Sequence, residues 1–282
     1  MTGYEALRQT AAIIDVSARG RIRATGEDRK RLLHAMTTNH VQEMESGQTR
    51  YAFFLNAQGR ILADVWILCL DDALILDVEP EVREKVFQHL DRYIIADDVT
   101  LEDITETTSE FAVEGPTAVR PKGIVIEGGL TGQPGFRVIV PRGESVAVDA
   151  VPCSLEEART VRIENGVPRY GEDMLETNLV QETGRTEALH FNKGCYLGQE
   201  IVERVRSRGQ VTKGLAMLAV AGADVPAAGT KVMSGDKEAG EIRSAVWSTA
   251  EGRVRALALL RNVMLTVPLT VDGAAVELIQ HR

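Results

Sequence analysis

The apolar positions change period several times along the chain. In EDRKRLLHAM (27–36), Leu32, Leu33 and Met36 recur at helical spacing behind Glu27 and Asp28, acids suited to the positive end of a helix, so the spacing predicts a helix. RYAFFLNAQGRILADVWILCLDDALILDV (50–78) holds three apolar runs parted by Ala57-Gln58-Gly59 and by Asp71-Asp72, which predicts an antiparallel three-strand meander. Pro80 opens PEVREKVFQHLDRYI, where Val82, Val86, Leu90 and Tyr93 form one helical face. FAVEGPTA (111–118) and GFRVIVPR (135–142) read as short strands. In SLEEARTVRI, Ser154 and Glu157 stand in capping-box register before a stripe of Leu155, Ala158 and Val161.

Beyond Thr212 the helical period fades. GLAMLAV, KVMSG, EAGEIRSAVWS, RVRALALLR and AAVELIQ are short apolar runs broken by Gly, Pro and Asp-Gly, the pattern of a small β-barrel or sandwich. The expected organisation is α+β, with one unit over 1–211, a second over 212–282 and a boundary near SRGQVTKG.

Composition narrows the classes. A length of 282 residues suits two compact units, and 44% apolar with 26% charged residues is ordinary globular content. No apolar run approaches the length of a membrane span, and the start lacks the basic, apolar and small-residue sequence of a leader, so a cytoplasmic protein without membrane contact is expected. Cysteines at 69, 153 and 195 form no Cys-x-x-Cys pair and argue against a disulfide framework. A net charge of −9 works against general nucleic-acid binding. No phosphate-cradling loop, dinucleotide fingerprint, Gly-x-Ser-x-Gly elbow or zinc pattern occurs, and no metal is expected.

Three stretches carry candidate chemistry. In NKGCYLGQE (192–200), Cys195 precedes LGQEIVERVR, whose Ile201, Val202 and Val205 share a helical face; a helix N-terminus and Lys193 would favour a thiolate, while a small buried hydrophobe is the alternative. Cys69, in an apolar strand, reads as core. Asp64 interrupts GRILADVWIL and shares a strand face with Leu62 and Trp66, so it faces either solvent or a half-apolar pocket that perturbs its pKa. In VRIENGVPRYGEDMLETN (161–178), Arg162, Glu164, Arg169, Tyr170, Glu172, Asp173 and Glu176 gather around Gly166, Pro168 and Gly171, where turns aim side chains into a cleft or leave a polar surface loop. The basic run Arg204, Arg206, Arg208 and Lys213 suits phosphate, a polyglutamate tail or solvent.

KGCYLGQE resembles the Lys-Gly-Cys-Tyr/Phe-x-Gly-Gln-Glu signature of the YgfZ family, folate-binding proteins of iron-sulfur cluster assembly and repair that are related to the glycine cleavage T protein. IIDVSARGRIRATGEDRKRLLHAMTTN, LNAQGRILADVWI, FAVEGPTA and VRIENGVPRYGEDMLETN resemble further shared segments. The resemblance implies a T-protein-like folate-binding fold with a ferredoxin-like subdomain and a C-terminal β-barrel. It implies tetrahydrofolate or a derivative as cofactor, and iron-sulfur assembly proteins or client enzymes as partners. It implies catalytic roles for Cys195, Asp64 and Lys193, and contacts to folate from Asp64, Arg162, Glu164, Tyr170 and Tyr196. Asp64 matches one of two aspartates in the T-protein segment Gly-Gly-Ile-x-Asp-Asp. LTGQPGFR (130–137) departs from Tyr-Thr-Gly-Glu-x-Gly-x-Glu, because Arg137 replaces the glutamate that holds the pterin, and a cation cannot accept the pterin's N–H groups. An aminomethyltransferase and a non-catalytic folate sensor are the alternative functions.

Overall fold

The computed structural model describes residues 1–209, 211–262 and 268–281; Gln210, inside the expected boundary stretch, and the side chain of Arg208 lie outside the described residues. In chain order, the first part runs α1 (Gly3–Gln9), β1 (Ala12–Asp15), β2 (Gly20–Thr25), α2 (Arg29–Met36), β3 (Thr49–Leu55), β4 (Ile61–Cys69), β5 (Ala73–Val78), α3 (Arg83–Asp91) and β6 (Thr100–Asp103). It continues through β7 (Thr108–Glu114), β8 (Ile124–Glu127), β9 (Gly135–Pro141), β10 (Val151–Cys153), α4 (Leu155–Glu164) and α5 (Gln199–Arg208). The remainder is β11 (Lys213–Val220), β12 (Lys231–Ser234), β13 (Lys237–Ser248), β14 (Arg253–Arg261), β15 (Leu269–Val271) and β16 (Ala274–His281).

The strands close three layers. One sheet has the order β3-β4-β5-β2-β6; within it β2, α2, β4, β5, α3 and β6 trace a split β-α-β arrangement in which β5 lies between β2 and β4, the ferredoxin-like order with β3 added at the edge. A second sheet, β10-β1-β7-β9-β8, is antiparallel except where β1 meets β10. The third is a closed six-stranded barrel, β11-β14-β13-β12-β15-β16, whose closure leaves no unpaired edge. This α+β architecture has the expected ferredoxin-like subdomain and C-terminal β-barrel.

Local sequence explains the elements that matter. The capping box of Ser154 and Glu157 forms at α4, and Thr2 and Glu5 form another at α1. Two tight connections produce the meander: Leu70 N–H bonds Ala73 O at 2.8 Å around Asp71-Asp72, and Asn56 N–H bonds Arg60 O at 3.0 Å around Ala57-Gln58-Gly59. Phe53, Phe54, Leu55, Ile61 and Ile67 from this meander are fully buried and form the main core with Leu33 of α2 and Leu90 of α3. Tyr93 departs from its expected place, because α3 ends at Asp91 and the ring beyond it is 40% exposed. Leu155 is 61% exposed although it heads the apolar stripe of α4. Among the described residues no helix is long and apolar enough to cross a membrane.

Candidate functional site

A cavity of about 340 Å³ collects polar groups from distant parts of the chain: Asp15 from β1, Tyr51 from β3, Asp64 and Trp66 from β4, Arg159 and Arg162 from α4. Its size is that of a small-molecule site. Asp64 is its most distinctive group. The Tyr51 hydroxyl donates to Oδ2 at 2.8 Å, whereas Oδ1 is buried without a hydrogen-bond partner. Burial, followed by the charge of Glu79, pushes the Asp64 carboxyl up to about 6, against opposing pulls from Arg19, Tyr51 and Arg185. A carboxylate with one satisfied and one free oxygen is ready to accept an N–H or to exchange a proton.

The neighbours hold that group in place. Arg185 stacks on the Tyr51 ring with its guanidinium carbon 4.3 Å from the centroid, and Trp66 lies 5.0 Å from the same ring. Glu79 receives Arg19 on Oε1 and Arg169 at 2.7 Å on Oε2. Burial works to raise the Glu79 pKa, but the Arg19 and Arg169 charges outweigh it and hold the carboxyl below its ordinary range. Glu114 fixes the Gly129–Thr131 wall by accepting Leu130 N at 2.6 Å and Thr131 N at 3.0 Å. At Gly128 (φ 122°) an added Cβ would stand 2.6 Å from the Trp66 indole, so this position must lack a side chain for Trp66 to keep its place.

Arg137 does not enter the cavity. It is fully buried, pairs with Asp77, lies 3.9 Å from Glu110, and places its guanidinium carbon 4.8 Å from the centroid of the Trp66 ring. Arg137 is therefore part of an internal ion network with Arg19, Asp77, Glu110 and Arg21, and is not among the residues that line the cavity.

The other sequence candidates separate. Arg162 lines the cavity, bonded to Glu172 and Asp173 at 2.5 Å each. Glu164, two residues on and so on another side of α4, turns away to Tyr4 at 2.7 Å and Arg8 at 2.6 Å. Tyr170 is packed in the main core and burial raises its pKa. Neither Glu164 nor Tyr170 lines the cavity.

Cys195, Lys193 and Tyr196 form a second locus outside that cavity. Cys195 is exposed, and Tyr196, Leu197 and Gly198 separate it from the first residue of α5. Lys193 reaches the opposite way. Its ammonium donates to the carbonyls of His34 and Thr37 at the end of α2, 4.8 Å over the Tyr196 ring, and burial lowers its pKa to about 7. Lys193 thereby caps the end of α2. Tyr196 is buried and pushed up to about 12 by that burial. Of the basic run, Arg204 and Arg206 pair with Glu200 and Glu203 on α5 itself, which makes them a solvated helix face. Among the described residues no group of His, Cys, Asp and Glu is placed to hold a metal.

Two glycines seat this second locus on the β3–β4 hairpin. Gly198 (φ 84°) begins α5 with its ideal Cβ position 2.6 Å from Asn56 O, and Gly59 (φ 69°) would meet Ile201 at 2.7 Å. Gly198→Ala combines left-handed strain with a clash against backbone, so a loss of about 2–3 kcal/mol is expected. Hydrogen exchange of α5 amides checks this: faster exchange there, with the barrel unchanged, is the expected result.

Sequence reasoning missed Tyr51, Arg19, Glu79 and Arg185. Only Glu79 left a sign, as a charge directly after the apolar strand that ends at Val78; the stacking of Arg185 on Tyr51 joins residues too distant for any local pattern.

The structure of glycine cleavage system aminomethyltransferase T from Bartonella henselae superposes with a TM-score of 0.87 at 16% identity, over 99% of this chain and 87% of that one. The fold is thus that of the T proteins. Residues 2–120 match the GCVT N-terminal domain, and residues 212–281 match the CAF17 C-terminal beta-barrel domain, so the chain joins a GCVT-like part to a CAF17-type barrel. An aminomethyltransferase of Rubrobacter xylanophilus is 28% identical over 99% of this chain and 82% of its own length. A putative chloroplastic transferase of Arabidopsis thaliana is 27% identical over 85% of this chain and 63% of its own length.

Proposed function

We propose that the cavity binds tetrahydrofolate or a derivative, and that the protein is a folate-binding factor supporting iron-sulfur cluster assembly or repair. One observation carries the folate reading: the buried, unpartnered Oδ1 of Asp64 at the wall of an aromatic and arginine-lined cavity. A reduced folate offers ring N–H donors for that oxygen, a flat ring for the Trp66 and Tyr51 side, and carboxylates for an arginine at the mouth such as Arg159, whose side chain is 42% exposed. Bound folate would supply a carrier for one-carbon groups; the chain's own part is to accept the N–H at Asp64, orient the ring and exclude water. The iron-sulfur role is supported by the CAF17-type barrel and by the KGCYLGQE stretch.

The aminomethyltransferase reading draws on the names of the relatives. Arg137 counts against it, since nothing at that position accepts the pterin.

Thiol and cavity are separable in this reading. Cys195 is exposed while Cys69 and Cys153 are buried, and burial pushes the Cys153 thiol up to about 12. Brief alkylation of the native protein is expected to label Cys195 first, with the other two labelled only after unfolding, as mass spectrometry of the peptides would reveal. Calorimetric titration of the labelled protein with reduced folate is expected to match the unlabelled protein. If labelling abolished binding, the two-locus account would fail. A Cys195→Ser variant that fully restored iron-sulfur enzyme activity in a strain lacking this protein would remove the proposed role of the thiol.

A further inference from the structure

Asp173 closes a hydrogen-bonded path from the C-terminal barrel to the cavity. Its carboxylate is fully buried. Oδ2 accepts Arg162 Nη1 at 2.5 Å and the backbone N–H of Arg169 at 3.0 Å, and both arginines line the cavity. Oδ1 accepts the hydroxyl of Ser244 at 2.5 Å, and Ser244 belongs to β13 of the barrel. Ser244 stands where the pairing of β13 with β14 slips register after Ile242, an irregularity that re-aims side chains out of the ladder. The next residue, Ala245, offers its carbonyl to Arg159 Nη1 at 3.5 Å, a third arginine of the cavity. Three cavity arginines therefore converge on one bulge of the barrel, Arg159 directly and Arg162 and Arg169 through a single carboxylate.

The chemistry makes the Ser244 bond consequential. Asp173 is shut from water, so an oxygen that loses its donor keeps the cost of desolvation with nothing to offset it. The carboxylate then draws on the remaining donors, Arg162 and the Arg169 amide, and displaces both.

We infer that Ser244 is a positioning residue for the cavity: the seating of the barrel sets Arg162 and Arg169, and occupancy of the cavity in turn favours the seated barrel. Such coupling is reciprocal, since each event shifts the other by the same factor. The inference rests on the reading that this cavity is the ligand site.

The test uses the full chain, 5-formyltetrahydrofolate as probe, and two variants. Ser244→Ala removes the bond, while Val232→Ala, in the core of the barrel on β12, weakens the barrel without touching Asp173. Ser244→Ala is expected to weaken the probe's Kd about tenfold and to speed exchange of the Arg169 amide, the loss of one hydrogen bond to a charged group. Val232→Ala is expected to leave Kd unchanged despite a lower denaturation midpoint. In the wild type, the probe is expected to slow exchange in β13. An unchanged Kd in Ser244→Ala, or an equal weakening in Val232→Ala, overturns the inference. If the wild type takes up no probe, the folate reading falls separately, and exchange in the ligand-free protein decides: an Arg169 amide unmoved by Ser244→Ala overturns the coupling, and a faster one upholds it.

Discussion

Arg137→Met is expected to lower the denaturation midpoint by about 10 °C, the loss of about 3–5 kcal/mol that follows when a buried ion network loses one partner. Asp77 would keep Arg19 alone, and Glu110 would keep only Arg21, 3.5 Å away. The effect depends on pH. Burial, then the Asp77 charge, already raises the Glu110 carboxyl to about 7 against the pull of Arg137, Arg19 and Arg21. A carboxyl whose folded pKa exceeds its unfolded value binds more protons in the folded state, so its contribution to stability falls as pH rises from about 4.5 through 7. Without Arg137 that window extends upward. The variant's deficit is therefore expected to be smaller at pH 5 than at pH 8, as thermal scans at the two values would show. Arg137→Glu would set a third carboxylate beside Asp77 and Glu110 and is expected to leave no folded protein at pH 8. A well-folded Arg137→Glu variant would contradict the buried placement of this residue.

Asp64→Asn is expected to stabilise the ligand-free protein while weakening its binding. Asp64 is held near 6 against an ordinary 3.8, so its charge costs the fold up to about 3 kcal/mol above pH 6. The sign follows from the raised pKa: the folded state binds the extra proton between about 4 and 6, and stability from this group declines across that window. The neutral amide removes the dependence. Thermal scans should show the variant gaining about 1–3 kcal/mol at pH 8 and nearly nothing at pH 4. A gain at pH 4 equal to that at pH 8 would mean that Asp64 is not the strained carboxylate of this site.

The fold was largely legible in the sequence because its strongest signals are local. The meander of β3, β4 and β5 is written as three apolar runs parted by turn residues, and α4 carries its own capping box. The six barrel strands were signalled less evenly: five apolar runs stood out, while β15, three residues long, left too short a pattern. β2 was hidden for a different reason. Its GRIRAT sequence looks solvated, yet Arg21 is fully buried and bonded to Thr105, Thr108 and the Arg19 carbonyl, so Arg21 marks an ion network and not a surface. The cavity was legible only in part. Asp64 stood out because a carboxylate interrupts an apolar strand, and Arg162 because turns crowd the segment behind it. Glu164 shared that segment but not its direction, since two residues of helix rotate a side chain well past a right angle. Lys193 and Cys195 stand two positions apart in sequence, but the lysine caps α2 while the thiol faces solvent, a division that only tertiary packing decides.

In the proposed function, the free oxygen of Asp64 marks a folate site distinct from the thiol. Calorimetric titration of 5-formyltetrahydrofolate into wild type, Asp64→Asn and Cys195→Ser tests it most directly. The account predicts equal Kd values for wild type and Cys195→Ser, and at least tenfold weaker binding by Asp64→Asn, the loss of one charged hydrogen bond. Binding by Asp64→Asn as tight as that of the wild type, or no binding by the wild type, would contradict it.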